Sequence, residues 1–142
     1  MHIDHSTILG NQAIGGVGTT GGNGQGGGIA NLFGGVLTVT DSVIALNRAI
    51  GGAGDGGDGQ GGGIFNGAPS RVGTPALTLH HSAIVNNEAD GGAAGIGGID
   101  GQGVGGGLYL TPGGIACADL LSVIVGNHAS TNDDVFGNLG DC

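Results

Sequence analysis

Ser6-Thr7-Ile8-Leu9-Gly10-Asn11-Gln12-Ala13, Ser42-Val43-Ile44-Ala45-Leu46-Asn47-Arg48-Ala49, Ser82-Ala83-Ile84-Val85-Asn86-Asn87-Glu88-Ala89 and Ser122-Val123-Ile124-Val125-Gly126-Asn127-His128-Ala129 are four versions of one motif, S-x-I-x-x-N-x-A. Their serines are offset by 36, 40 and 40 residues. A fixed period of this length marks a solenoid, in which each unit buries its apolar face only against its neighbours. Upstream of the motif, Met1-His2-Ile3-Asp4-His5 aligns with Leu37-Thr38-Val39-Thr40-Asp41 and Leu77-Thr78-Leu79-His80-His81. Alternation puts Ile3, Val39 and Leu79 on one face, the signature of a strand. A second strand is centred on Ile8, Ile44, Ile84 and Ile124. Asn11, Asn47, Asn87 and Asn127 follow at a fixed corner, where asparagine tolerates a left-handed backbone. In stacked coils they are expected to form an internal amide ladder, each side chain bonding the next.

Glycine supplies 38 of the 142 residues and concentrates in three excursions, 14–28, 50–63 and 90–107. Each returns through three glycines to an apolar residue: Gly26-Gly27-Gly28-Ile29, Gly61-Gly62-Gly63-Ile64 and Gly105-Gly106-Gly107-Leu108. The fourth repeat skips the excursion. From Ile124 to Val135 is 11 residues, against 20 from Ile44 to Ile64. The coil therefore reads as three short strands, with the glycine run inserted at one corner. We expect a single all-β domain over 1–142, about four coils long, with repeats near 1–35, 36–76, 77–118 and 119–142. Glycine lacks the Cβ that separates backbones, so the stacked runs are expected to be ordered and bonded to one another in polyproline-II-like form.

The run Gly-Gly-Gly-Ile-Phe-Asn at 61–66, then Leu77-Thr78-Leu79, then Ala83-Ile84-Val85 through Asn87 to Ala89, resembles the right-handed parallel β-helix repeats of bacterial surface proteins. The polymorphic outer-membrane and autotransporter-passenger type is the nearest likeness, pectate-lyase-like folds a more distant one. The resemblance covers nearly the whole chain and implies a right-handed parallel β-helix at a cell surface. It specifies fold far better than function, because one coil serves adhesins, lyases and fibres.

Eleven acids face only Arg48 and Arg71, for a net charge of −9. That balance repels phosphate backbones and anionic membranes, so nucleic acid is not the expected partner. No apolar run approaches the ~20 residues of a membrane helix. Met1-His2-Ile3-Asp4 lacks the basic start and apolar stretch of a signal peptide. The chain opens inside a repeat, which fits a piece of a longer secreted protein. Cys117 lies 7 residues before Ile124 and Cys142 lies 7 after Val135. Cys142 should thus sit one coil from Cys117, and a rung of ~4.8 Å falls within disulfide range. A Cys117–Cys142 bridge would indicate an oxidising, extracellular compartment.

Candidate chemistry is sparse. The serines occupy one repeated structural position, which argues against a Ser-His-Asp triad. His5, Asp41 and His81 share one column, and Asp4, Thr40 and His80 the next; such a stack resembles part of a zinc set, although a hydrogen-bonded ladder is the simpler reading. Aligning Gln25, Gln60 and Gln102 brings Asn23, Asp58 and Asp100 into a column of calcium-type oxygen ligands. A lyase would need clustered carboxylates with a basic residue, which Arg48 and Arg71 supply poorly. The expected function is a non-enzymatic structural or adhesive module; the alternative is a carbohydrate-binding or carbohydrate-cleaving β-helix acting on cell-surface glycans. Beside the inward isoleucines, Thr7, Leu9, Val43, Ala45, Ala83, Val85, Val123 and Val125 point outward, an apolar face that another chain is expected to cover. No cap is evident at either end. A homo-oligomer or filament, formed side by side or end to end, is therefore expected.

Overall fold

A computed structural model describes residues 1–68 and 73–142; Arg71 lies outside them. Among the described residues there is no helix. The first coil runs through β1 (His2–Asp4), β2 (Thr7–Leu9), β3 (Gln12–Ile14), β4 (Gly24–Gln25) and β5 (Ile29–Leu32). The second repeats the order with β6 (Val36–Thr40), β7 (Val43–Ala45), β8 (Arg48–Ile50), β9 (Gly59–Gln60) and β10 (Ile64–Gly67). The third follows with β11 (Ala76–His80), β12 (Ala83–Val85), β13 (Glu88–Asp90), β14 (Gly103–Val104) and β15 (Leu108–Leu110). A shortened last pass comprises β16 (Ile115–Ala118), β17 (Val123–Val125), β18 (His128–Ala129), β19 (Val135–Phe136) and β20 (Gly140–Asp141).

Equivalent strands pair in parallel into five sheets: β1-β6-β11-β16-β20, β2-β7-β12-β17, β3-β8-β13-β18, β4-β9-β14 and β5-β10-β15-β19. The protein is a parallel β-solenoid of about three turns and a shortened last pass, where the repeat count implied four coils. The three expected strands are all present. Two more are added, because the residues after each ladder asparagine (Gln12, Arg48, Glu88, His128) pair with one another, and so do the returning limbs of the excursions.

Periodicity assigns the core correctly. Leu37, Val39, Ile44, Ile64, Leu77, Leu79, Ile84 and Leu108 are fully buried and form one cluster, against which Ile3, Ile8 and Ile124 pack at the two ends. Along one wall the asparagines stack as expected. Asn47 Oδ1 accepts from both the amide and the Nδ2 of Asn11, at 2.9 and 3.0 Å. Asn87 Oδ1 does the same for Asn47, and Asn127 Oδ1 for Asn87. Each Nδ2 from Asn47 onward also donates to the carbonyl of an isoleucine in the preceding coil: Ile8, Ile44 or Ile84. These asparagines are not themselves left-handed. The positive φ falls one residue earlier, at Gly10, Leu46, Asn86 and Gly126. The turn is made there, so that the ladder residue can aim its amide inward. A second, shorter ladder links Asn31 Nδ2 to Asn66 Oδ1 at 2.6 Å and stops at Leu110, which occupies that column in the next coil.

The excursions are hydrogen-bonded to one another. An outgoing and a returning glycine limb face each other in every coil, and their backbones interlock in one zigzag. Gly22 donates to Gly16 O, Gly52 to Gly22 O, Gly57 to Gly52 O, Gly92 to Gly57 O and Gly101 to Gly92 O, at 2.8–2.9 Å. A Cβ on Gly52, Gly57, Gly92 or Gly101 would overlap a carbonyl oxygen of a neighbouring limb. No other residue fits at these positions, which accounts for glycine there.

Two substitutions test these contacts. Asn87→Ala orphans the Asn47 amide and Nδ2 inside the wall, so a loss of about 3–5 kcal/mol is expected in urea unfolding, above the ~1 kcal/mol of an ordinary hydrogen bond. Gly92→Ala forces the limbs apart, and faster amide exchange at Gly52, Gly57 and Gly101 is the expected readout.

Candidate functional site

Three surface features bear on function. The outward side of β2-β7-β12-β17 is the first. Registration places Thr7, Val43, Ala83 and Val123 in one row and Leu9, Ala45, Val85 and Val125 in the next. Leu9 is 56% exposed, Val43 38%, Val123 48% and Val125 54%. Ala45 departs from the expected exposure and is buried; its small side chain is recessed between Leu9 and Val85, which register against it. Leu46 and Leu121 extend the apolar surface at its margins.

The second feature is a charged corner where the chain turns from the first sheet into this face. His5, Asp41 and His81 adopt left-handed φ values of 44°, 46° and 46° and stack in one column, as their spacing implied. His5 Nδ1 lies 3.0 Å from Asp4 Oδ1, and its Nε2 lies 3.8 Å from Asp41 Oδ2. These three residues bring potential ligand atoms within 4.8 Å of one another, all exposed. Hydrogen bonding to Asp4, then the charges of Asp4 and Asp41, raise the His5 pKa. In the last pass Asp119 takes the corner, 3.5 Å from His80 Nδ1 and 3.7 Å from His81 Nδ1.

The third feature closes the C-terminal end. In the inner coils each motif serine hydroxyl accepts from the serine amide one coil earlier: Ser42 Oγ from Ser6, Ser82 Oγ from Ser42, Ser122 Oγ from Ser82. Ser122 has no further serine above it, and Asp119 Oδ1 accepts its amide instead, at 2.9 Å. Likewise Asp134 Oδ1 accepts from the amide and Nδ2 of Asn127, at 3.1 and 2.9 Å, in the place of a fifth ladder asparagine. Asp133 Oδ1 accepts from Ala129. The expectation of an uncapped C-terminal end is thus corrected: carboxylates imitate the missing coil. The Cys117–Cys142 disulfide, with Cα atoms 5.2 Å apart, closes the segment that carries all three of them.

The remaining sequence candidates are dispersed. Gln25 registers with Gln60, but Gly103 rather than Gly101 registers with Gly59. The longer third excursion shifts the expected Gln102 and Asp100 column by two residues. Asn23 Oδ1 accepts from the Asp58 amide, Asp58 Oδ1 from Gln102 and Asp100 Oδ1 from Ala94, so each proposed calcium ligand already holds a backbone donor. Arg48 pairs with Glu88 at 2.8 Å and Asp90 at 2.6 Å.

The sequence reading missed an aromatic stack. Phe65, Tyr109 and Phe136 lie over one another with ring centroids 5.2 and 4.7 Å apart. Burial, then the charge of Asp58, raises the Tyr109 pKa. The alignment of Gly63-Ile64-Phe65 with Gly107-Leu108-Tyr109 held the signal.

Together these features define a parallel β-solenoid with a glycine-filled flank, one partly exposed apolar sheet face and a C-terminal end capped in part by carboxylates. Compared with known proteins, the chain matches no family model, no curated protein and no solved structure. The disulfide is compatible with an extracellular location, and among the described residues no helix is long and apolar enough to cross a membrane.

Asp119 gives the end a pH limit. The Ser122 hydroxyl, followed by the His81, Ser122 and Leu121 amides, holds its pKa down to about 2 from 3.8, against an opposing effect of burial. A depressed carboxyl stabilises the fold above its unfolded value and ceases to do so as pH falls through its folded value. The last pass should therefore loosen between pH 3.8 and about 2, seen as amide exchange at His81 and Ser122. Asp119→Ala should show the same exchange at neutral pH.

Proposed function

We propose that this chain is a non-enzymatic structural or adhesive module of an extracellular surface, which associates with further copies of itself through the bare sheet β2-β7-β12-β17. The apolar face of Leu9, Val43, Val85, Val123 and Val125 carries this reading: a solvent face of a small sheet is ordinarily polar. The disulfide and the resemblance of the repeat to those of bacterial surface proteins support the location. Side-by-side association is better supported than end-to-end stacking, because Asp119, Asp134 and Asp133 already accept from Ser122, Asn127 and Ala129, donors that an added coil would use.

Size sets the strength. Three-residue strands at ~3.3 Å per residue and four rungs at ~4.8 Å give a face of about 200 Å². A standard interface takes ~800 Å² from each partner. One face therefore binds weakly, and useful strength comes from repetition along an array.

The alternative, a carbohydrate-binding or carbohydrate-cleaving β-helix, has less to draw on. Phe65, Tyr109 and Phe136 spend their ring faces on one another, leaving little for sugar stacking, and Arg48 is committed to two carboxylates. For calcium, Asn23, Asp58 and Asp100 each already spend one side-chain oxygen on a backbone amide, and the register moves Asp100 two residues out of the column.

Sedimentation of the full chain across increasing concentration should reveal reversible association, and the pair Val85→Lys with Val125→Lys should abolish it. A monomer at every concentration, together with specific signals on a glycan array, would favour the alternative.

A further inference from the structure

The two ends of the solenoid are built differently, and the polar columns reach the N-terminal end uncapped. Ser42 Oγ and Ser82 Oγ accept from the coil before them, and Asn47 Oδ1 and Asn87 Oδ1 each accept an amide and an Nδ2. Ser6 Oγ donates to the Asp4 carbonyl, but among the described residues nothing donates to it or to Asn11 Oδ1. Ser6 and Asn11 are exposed, whereas Ser42, Ser82, Asn47 and Asn87 are buried. Asn11 Nδ2 turns back to its own Leu9 carbonyl at 3.4 Å, where Asn47 Nδ2 reaches the Ile8 carbonyl of the preceding coil at 3.0 Å. Val43 and Arg48 donate their amides to the Ser6 and Asn11 carbonyls. Their partners in register, Thr7 and Gln12, have equivalent amides with no coil before them. The Gln25–Gln60 and Asn31–Asn66 columns also start at this end, and they give way to Val104 and Leu110 in the third coil.

We infer that the N-terminal end binds a parallel coil of another, non-identical polypeptide, which sets an asparagine against Asn11 and a backbone amide against Ser6 Oγ. The partner asparagine supplies Asn11 Oδ1 with the amide and Nδ2 that every later ladder oxygen up to Asn127 receives. Carbonyls of the partner accept from Thr7 and Gln12. This is strand addition, in which backbone hydrogen bonds supply affinity and a side chain supplies selection. The partner is not a second copy. Stacked head to tail, a copy would present Asp119 and Asp134, which already accept from Ser122 and Asn127. Carboxylates would then meet the acceptor oxygens of Ser6 and Asn11. With both N-terminal ends inward, strands would run oppositely, so the Ser6 and Asn11 columns could not both meet their counterparts. The site is separate from the apolar sheet face, and the inference does not rest on self-association.

A synthetic peptide copying residues 37–51 is the probe, since its Ser42 and Asn47 have the spacing of Ser6 and Asn11. Added to the full chain at ~1 mM, it should slow amide exchange at Thr7 and Gln12 and leave β17 unchanged. The peptide with Asn47→Ala keeps its backbone donors but loses one hydrogen bond to Asn11 Oδ1, and should bind about fivefold more weakly. Asn47→Asp in the peptide has nearly the same shape but sets oxygen against oxygen, and should bind more weakly still. The protein itself is unaltered throughout, so no loss of fold can imitate these results. Peptide binding should persist in the chain carrying Val85→Lys with Val125→Lys, which separates this site from the self-association face. A chain that stays monomeric yet takes up the peptide would overturn self-association and support this site. Unchanged exchange at Thr7 and Gln12, protection centred elsewhere, or equal binding of the three peptides would overturn the inference.

Discussion

One amide oxygen accepting two hydrogen bonds from the coil before it holds this molecule in register. Asn47, Asn87 and Asn127 each receive the backbone amide and the side-chain amide of their predecessor. Such an acceptor tolerates neither a slip of one residue, which would turn the amide to solvent, nor a change in rung height. Inside the wall an unmet donor costs about 1–3 kcal/mol, so each rung fixes the next. The parallel strands, the isoleucine column behind them and the serine column beside them inherit that spacing. So does the aromatic stack, whose ring centroids at 4.7 and 5.2 Å follow the same rise.

The glycine flank solves a different problem with the same spacing. Two limbs per coil must pass beside two limbs of the next, and at this distance only bare backbone fits. Ordering glycine is entropically the most costly choice. The interlocked carbonyls and amides of Gly16, Gly22, Gly52, Gly57, Gly92 and Gly101 offset that cost by leaving few backbone groups in the sleeve without a partner. The fold thus has a core of side chains on one flank and a core of peptide groups on the other.

Much of this architecture was legible because it repeats. Periodicity alone placed the isoleucines, the asparagine ladder, the inward residues of the first sheet and the cysteine pair. Failures came where the signal was single or shifted. The third excursion is longer than its neighbours, so alignment through Gln102 misplaced Asp100 by two residues. Left-handed geometry was assigned to the ladder asparagines because that residue tolerates it, whereas the turn falls one residue earlier, on Leu46 and Asn86 as well as glycine. The carboxylate caps were less legible: Asp133 and Asp134 stand in the column of the triple glycines, and their spacing does not say that their side chains reach Ala129 and Asn127. The apolar face was readable from alternation, except for Ala45, which is buried, and Ala83 and Val85, which are half-buried.

The glycine flank also bears on how the molecule withstands proteolysis. Endoproteases act on chain that can be drawn out into a cleft, and many choose where to cut by the side chain next to the bond. Long loops usually supply both. Here the limbs of the longest irregular stretches have amides already spoken for and little that a specificity pocket could hold. Residues with a handle, such as Val17, Ile96 and Ile99, stand exposed at the tips. A nick there would leave both limbs clasped to their neighbours and the coil beneath them intact.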